Sequence, residues 1–234
     1  MRKLAIFVEG LTEQRFAEKC LRKIIGKKGL CIGVFKAYGG KRCQRSFQQW
    51  RASAPSSGQE YYVQIMDCAN DGRVKSDIKE HYDSLVAANF SGIMGIRDVY
   101  PDVQHADIPK LRERLRCGLE TTPIEVVFVL GVMEIETWFI MEHTHFLRID
   151  AGLTLERIKA GVGFDPSTYD VQLRLHPAKD LDDIYRLVGK RYSKTKNRIK
   201  RTVKRLDYGR ICHEVGARVE DLRVLVAALD QFFS

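Results

Sequence analysis

Acidic residues recur in this chain where apolar runs stop. Glu9 follows the run 4–8, Asp67 and Asp71 follow 61–66, Asp98 follows 91–96 with Asp102 close behind, and Glu134 and Glu136 follow 124–132. Compact apolar runs of this length read as buried strands. Parallel strands of an open α/β sheet bring their carboxyl ends to one edge, where such folds bind ligands. Carboxylates gathered there repel one another unless a divalent cation, which prefers hard oxygen ligands, sits among them. A cation held in this way can offset charge on a phosphate and activate a water, so the expected chemistry is metal-assisted attack on a phosphate ester. Taken singly, Asp67, Asp71 and Asp102 read as cap or turn residues. Glu136 reads as an acid favoured by the dipole of a helix first turn, and Glu13 as a capping-box acid paired with Thr12 or Gly10. The grouping is what points to a metal.

A second constellation is cationic. Residues 190–205 read KRYSKTKNRIKRTVKR and carry Lys190, Arg191, Lys194, Lys196, Arg198, Lys200, Arg201, Lys204 and Arg205 with no acid among them. On a helix, Ile199, Val203 and Leu206 form an apolar stripe, with Lys194, Arg198, Arg201 and Arg205 beside it and Lys200 and Lys204 further round. Such a face is either solvated or laid against phosphates, and the missing acids favour phosphates. Tyr192 offers a ring for base stacking. The formal net charge of +9 has the same sign, and a cationic excess attracts polyanions, of which nucleic acid is the commonest.

The elements that must position these groups follow from the pattern. A strand over 4–8 leads through Glu9-Gly10 into a helix from Glu13 to about Lys27, capped by Thr12; a strand over 31–38 ends at Gly39-Gly40, read as a plain turn. Phe47 and Trp50 suggest a short helix, and Pro55–Gly58 a loop. Strands over 61–66, 91–96 and 124–132 alternate with helices near 73–88 and 109–119. Strands alternating with helices imply an α/β fold, a mainly parallel sheet flanked by helices. After about Phe146 the periodicity turns helical, in pieces near 154–160, 180–189, 194–206 and 217–233. The expected organisation is an α/β metal-binding domain over 1–146 and a helical, basic region over 147–234.

Other motifs exclude more than they propose. The six cysteines form no CxxC pair and no zinc-finger spacing, and read as buried thiols of a reducing compartment. His143 and His145 have the wrong spacing for two ligands on one helix face, and read as surface or packing residues. Trp138 and Phe139 read as core. The N-terminus has a short apolar run ended by Glu9, unlike a signal peptide. No run approaches the roughly twenty apolar residues of a membrane span, so the expected location is the cytoplasm.

The stretch Phe7-Val8-Glu9-Gly10-Leu11-Thr12-Glu13 resembles the opening motif of Toprim domains in nucleases and in their small stand-alone relatives. In those proteins a strand ends in Glu-Gly, a Thr-Glu pair opens the helix, and a later strand ends in Asp-x-Asp. Arg97-Asp98-Val99-Tyr100-Pro101 looks like that later element, Met133-Glu134-Ile135-Glu136-Thr137-Trp138 like an acidic-Trp segment of the stand-alone proteins, and Tyr192-Ser193-Lys194-Thr195-Lys196 like a motif of their tails. The resemblance implies a Toprim-like, Rossmann-like fold and a Mg²⁺- or Mn²⁺-dependent nuclease or related phosphodiester enzyme acting on DNA or RNA. It implies Glu9 as metal ligand or general acid/base, with Glu13 beside it, and Asp98 as the first metal-binding aspartate. Tyr100 stands where the second aspartate would be, so Asp102, Glu134 or Glu136 would supply the missing oxygen. Relatives of this kind occur in phage-defence loci, sometimes beside an ATPase partner; this chain has no Walker A pattern of its own. The other expectation is a non-catalytic nucleic-acid-binding or regulatory subunit of a larger complex.

Overall fold

A computed structural model describes residues 1–26, 29–39, 45–53, 58–100 and 103–234, with Asp71 described by its backbone alone. Among these residues six strands, β1 (Arg2–Val8), β2 (Leu30–Tyr38), β3 (Ser46–Ala52), β4 (Tyr61–Asp67), β5 (Gly92–Asp98) and β6 (Val126–Gly131), form one sheet in the order β3-β2-β4-β1-β5-β6. The run 4–8 is buried throughout, as a central parallel strand requires. β1 pairs in parallel with β4 and β5, Val8 lying opposite Asp67 and Ile96. β2 pairs in parallel with β4. The chain is thus an α/β protein with a mostly parallel sheet flanked by helices.

Three local expectations change. The first helix, α1 (Leu11–Ile24), begins two residues before Glu13, with Gly10 rather than Thr12 at its N-cap. The Glu13 carboxylate accepts the Gly10 N–H at 3.0 Å, which occupies one of the donors a helix start leaves open. The helix also stops at Ile24, short of Lys27, which lies outside the described residues. The segment around Phe47 and Trp50 is not a helix but β3, antiparallel to β2. Its residues are half-buried or exposed and Trp50 is 55% accessible, so an outer strand of this kind carries little of the hydrophobic alternation that announces a strand. Lys36 instead lies over the Trp50 ring at 4.9 Å. The loop expected at 55–58 and the turn at Gly39-Gly40 fall mostly outside the described residues.

The chain packs as two compact units, residues 1–97, 109–129 and 227–234 in the first, and 98–108 and 130–226 in the second. Position 146 lies within the second. The first unit holds α2 (Val74–Ala87) and α3 (Ile108–Arg116, save its first residue) and a core that includes Phe7, Met66, Val74, Ile78, Leu85 and Ile93. The second contains α4 (Glu136–Met141), α5 (His145–Ile149), α6 (Leu155–Val162), α7 (Pro177–Arg186) and α8 (Lys196–Arg205). After these come the short turns α9 (Tyr208–Arg210) and α10 (Gly216–Arg218), joined by a π-helical turn, and then α11 (Glu220–Phe233), whose residues from Ala227 on belong to the first unit. Trp138, Phe139, Phe146, Tyr185 and Ile199 are fully buried. In the same unit, Asp221 accepts the Leu130 N–H at 2.9 Å.

Among the described cysteines none forms a disulfide. Cys20 and Cys68 are buried, but Cys31 and Cys212 are half-buried and Cys117 is exposed, so the expectation of buried thiols holds only for the first two. No helix of the described residues is long and apolar enough to cross a membrane.

Candidate metal centre

β6 ends at Gly131, and the next four residues turn the chain into α4. The turn is tight. Met133 has φ of 60°, a left-handed backbone that costs energy in a residue with a side chain, and its carbonyl accepts the Tyr100 N–H at 2.8 Å. A Cβ on Gly131 would lie 2.5 Å from Asp98 Oδ1 and 2.8 Å from the Ile135 nitrogen. Glycine is therefore what lets the β6 terminus approach the Asp98 carboxylate. That carboxylate in turn accepts the Ile135 N–H through Oδ1 at 2.8 Å.

This turn brings three acids together. Asp98, Glu134 and Glu136 each offer a carboxylate oxygen, all within 4.8 Å of one another, and all three residues are buried. Each has one oxygen held by a donor. Asp98 is held by Ile135, Glu134 Oε2 accepts the Ala178 N–H in the first turn of α7 at 2.7 Å, and Glu136 Oε1 accepts the Tyr192 hydroxyl at 2.6 Å. The second oxygens face Lys194, whose Nζ lies 3.3 Å from Asp98 Oδ2, 3.1 Å from Glu134 Oε1 and 3.7 Å from Glu136 Oε2. Among the described residues Glu136 Oε2 has no hydrogen-bond partner, although Glu136 is fully buried. Burial pushes the Glu136 carboxyl above its ordinary range; Lys194 opposes this, neighbouring Glu134 adds to it, and the Tyr192 hydroxyl opposes it. One ammonium thus faces three carboxylates in a buried setting, where uncompensated charge is costly.

The other expected residues are distributed as follows. Glu9 and Glu13 belong to the first unit, where the Glu9 N–H donates to the Ile96 carbonyl at 3.2 Å and Glu13 caps α1. Asp67 is the last residue of β4 and accepts the Ala69 N–H at 3.0 Å as the chain turns, and burial raises its pKa. Asp102 lies outside the described residues.

The basic segment divides. Lys190 pairs with Asp150 at 2.8 Å, Arg191 with Asp182 at 3.3 Å, and Lys194 with the three acids rather than lying along α8. Arg198 donates to the Ser193 hydroxyl at 3.0 Å, and Arg201 donates to the Arg191 carbonyl and lies over the Tyr185 ring. Among the described residues Lys196, Lys200, Lys204 and Arg205 form no ion pair, and all four are exposed. Tyr192, read from sequence as a stacking platform, is instead only 2% accessible, with its hydroxyl on Glu136. Sequence reasoning also missed Gly131 and Ala178, which act through backbone and carry no side-chain signal.

Comparison of the chain with protein-family models, curated proteins and solved structures gives no match. The site therefore rests on its own geometry: an acidic trio at the end of a parallel strand, neutralised in part by one lysine.

Proposed function

We propose that Asp98, Glu134 and Glu136 hold a divalent cation, Mg²⁺ or Mn²⁺, and that the protein is a metal-dependent nuclease or related phosphodiester enzyme acting on nucleic acid. The observation that carries this reading is the buried Glu136 Oε2, which accepts no hydrogen bond among the described residues and meets only the long 3.7 Å approach of the Lys194 ammonium that it shares with Asp98 and Glu134. The donor set fits such an ion, since hard divalent cations take carboxylate oxygens and complete their shells with water and phosphate. A cation bound there supplies positive charge to a phosphate oxygen and lowers the pKa of a bound water. The chain's own part is to hold the carboxylates still. The Ile135 and Ala178 N–H groups and the Tyr192 hydroxyl each fix one oxygen and turn the other toward Lys194, whose ammonium a bound cation would displace. Lys196, Lys200, Lys204 and Arg205 supply unspent charge for a phosphate backbone. The Toprim resemblance supports the same chemistry and motivates a phage-defence role beside a partner ATPase.

The test is a Mn²⁺ titration followed by calorimetry, with cleavage assays on plasmid, single-stranded DNA and RNA. Asp98→Asn and Glu136→Gln are expected to weaken Mn²⁺ binding at least about tenfold, the range for lost metal-site partners, and to abolish cleavage. Unchanged Mn²⁺ affinity in both variants removes the metal site. Glu9→Ala examines the resemblance separately, because cleavage at the wild-type rate in that variant takes Glu9 out of the chemistry.

A second reading has its own observation. Lys194 touches all three carboxylates, so the cluster can serve as a buried ion-pair hub in a non-catalytic nucleic-acid-binding or regulatory subunit. That reading expects salt-dependent nucleic-acid binding with neither Mn²⁺ uptake nor turnover.

A further inference from the structure

The second unit contains a surface cavity of about 460 Å³ lined by Tyr100, Val103, Gln104, His105, Met133 and His176, among others. That size lies within the range of small-molecule sites, roughly 300–1,000 Å³. Val103 and Met133 are buried and give the cavity an apolar floor. Its rim is polar and open to solvent. Among the described residues the Tyr100 hydroxyl, the Gln104 amide and the His105 and His176 imidazoles make no hydrogen bond. Tyr100 and His176 meet edge to face with ring centroids 4.9 Å apart, and both residues are exposed. Leu175 beside them is 64% accessible.

The cavity is built from the same three segments that build the acidic trio. Tyr100 follows Asp98 by two residues, and its N–H is pinned to the Met133 carbonyl. Met133 directly precedes Glu134. His176 is the N-cap of α7, two residues before the Ala178 N–H that holds Glu134. An apolar floor, aromatic faces and converging donors and acceptors suit a planar heteroaromatic ring with hydrogen-bonding edges.

We propose that this cavity seats one nucleobase of the substrate, so that the adjoining phosphate lies toward Asp98, Glu134 and Glu136. This deepens the phosphodiester reading and rests on it for the choice of substrate. Tyr100 and His176 supply the stacking surface, and Gln104 and His105 meet the base edge. A base must be unpaired to enter, so the proposal assigns a single-stranded or locally opened nucleic acid as the substrate class.

The test uses the full chain in EDTA, which separates it from the metal question. A short fluorescein-labelled single-stranded oligonucleotide, as DNA and as RNA, is compared with a partner of equal length and charge carrying abasic sugars. Wild-type protein is expected to bind the base-bearing strand about tenfold more tightly, the scale of one stacked base. Tyr100→Ala and His176→Ala should remove that difference while leaving affinity for the abasic strand unchanged, and Tyr100→Phe should keep it. Competition by adenosine monophosphate at concentrations below those needed by the strand would assign the cavity to a free nucleotide and overturn the strand proposal. Equal binding of base-bearing and abasic strands by wild type would overturn it too, as would a base preference that survives Tyr100→Ala. Each of these results leaves the Mn²⁺ titration to decide the metal centre by itself.

Discussion

At the scale of single residues, the candidate centre depends on a side chain that is missing. Gly131 lets the Asp98 carboxylate reach the Ile135 N–H, and a methyl group there would sit 2.5 Å from Asp98 Oδ1. The carboxylate, pinned on its other side by Lys194 at 3.3 Å, would have to move. Gly131→Ala is therefore expected to cost about 1–3 kcal/mol of stability, as overpacking does, and to weaken Mn²⁺ binding along with it. Urea unfolding and the Mn²⁺ titration together check this, and an unperturbed variant would show that the close approach is not needed. The acids themselves were legible, since Asp98, Glu134 and Glu136 stand directly after apolar runs. The glycine was not, because its role is the space it leaves. Nor was the donor role of Tyr192, since a tyrosine in a basic run signals base stacking as readily as a hydroxyl buried on a carboxylate.

At the scale of elements, α8 shows how far a pattern carries. The stripe of Ile199, Val203 and Leu206 read from sequence is the buried face of the helix or its end. Thr202 joins it, its hydroxyl 3.1 Å from that of Tyr185. Lys196, Lys200 and Lys204 repeat every fourth residue along an exposed row. The two faces should separate stability from binding. Ile199→Ala is expected to cost about 2–4 kcal/mol, the range for emptying a buried aliphatic site. Replacing Lys200 and Lys204 by alanine should change stability by less than about 0.5 kcal/mol while making nucleic-acid binding weaker and less steeply dependent on salt. Thermal melts and affinities measured over a salt series decide it; an unchanged salt slope would return this row to the role of a solvated face. β3 marks the opposite limit of legibility. Its residues are largely exposed, so burial leaves no alternation to read, and only pairing with β2 makes it a strand.

At the scale of the whole molecule, the chain crosses between its compact units at 97/98, 108/109, 129/130 and 226/227. A sequence boundary near 146 follows the switch from strands to helices, whereas packing joins segments distant along the chain, which periodicity cannot register. Stability should carry a pH signature from the second unit's interior. His145 is fully buried with Nδ1 2.7 Å from the Glu142 carbonyl and Nε2 3.2 Å from the Tyr185 hydroxyl. Burial lowers its pKa from 6.5 to about 3. The folded state therefore refuses a proton that the unfolded chain accepts, and the stability contributed above pH 6.5 is lost as pH falls from 6.5 toward 3, by up to about 1.4 kcal/mol per pH unit. Glu136 and Glu142 work with the opposite sign. Burial raises both, so they favour the folded state at low pH and lose that contribution as pH rises through their folded values. The raw pH profile thus mixes the two effects, and the informative quantity is a difference. His145→Gln keeps an amide able to donate and accept but does not titrate. Its stability, measured by urea unfolding from pH 7 down to about pH 4, should fall less steeply than that of wild type by close to one proton's worth of slope. Parallel profiles for the two proteins would mean that His145 is reached by water and protonates in the folded state.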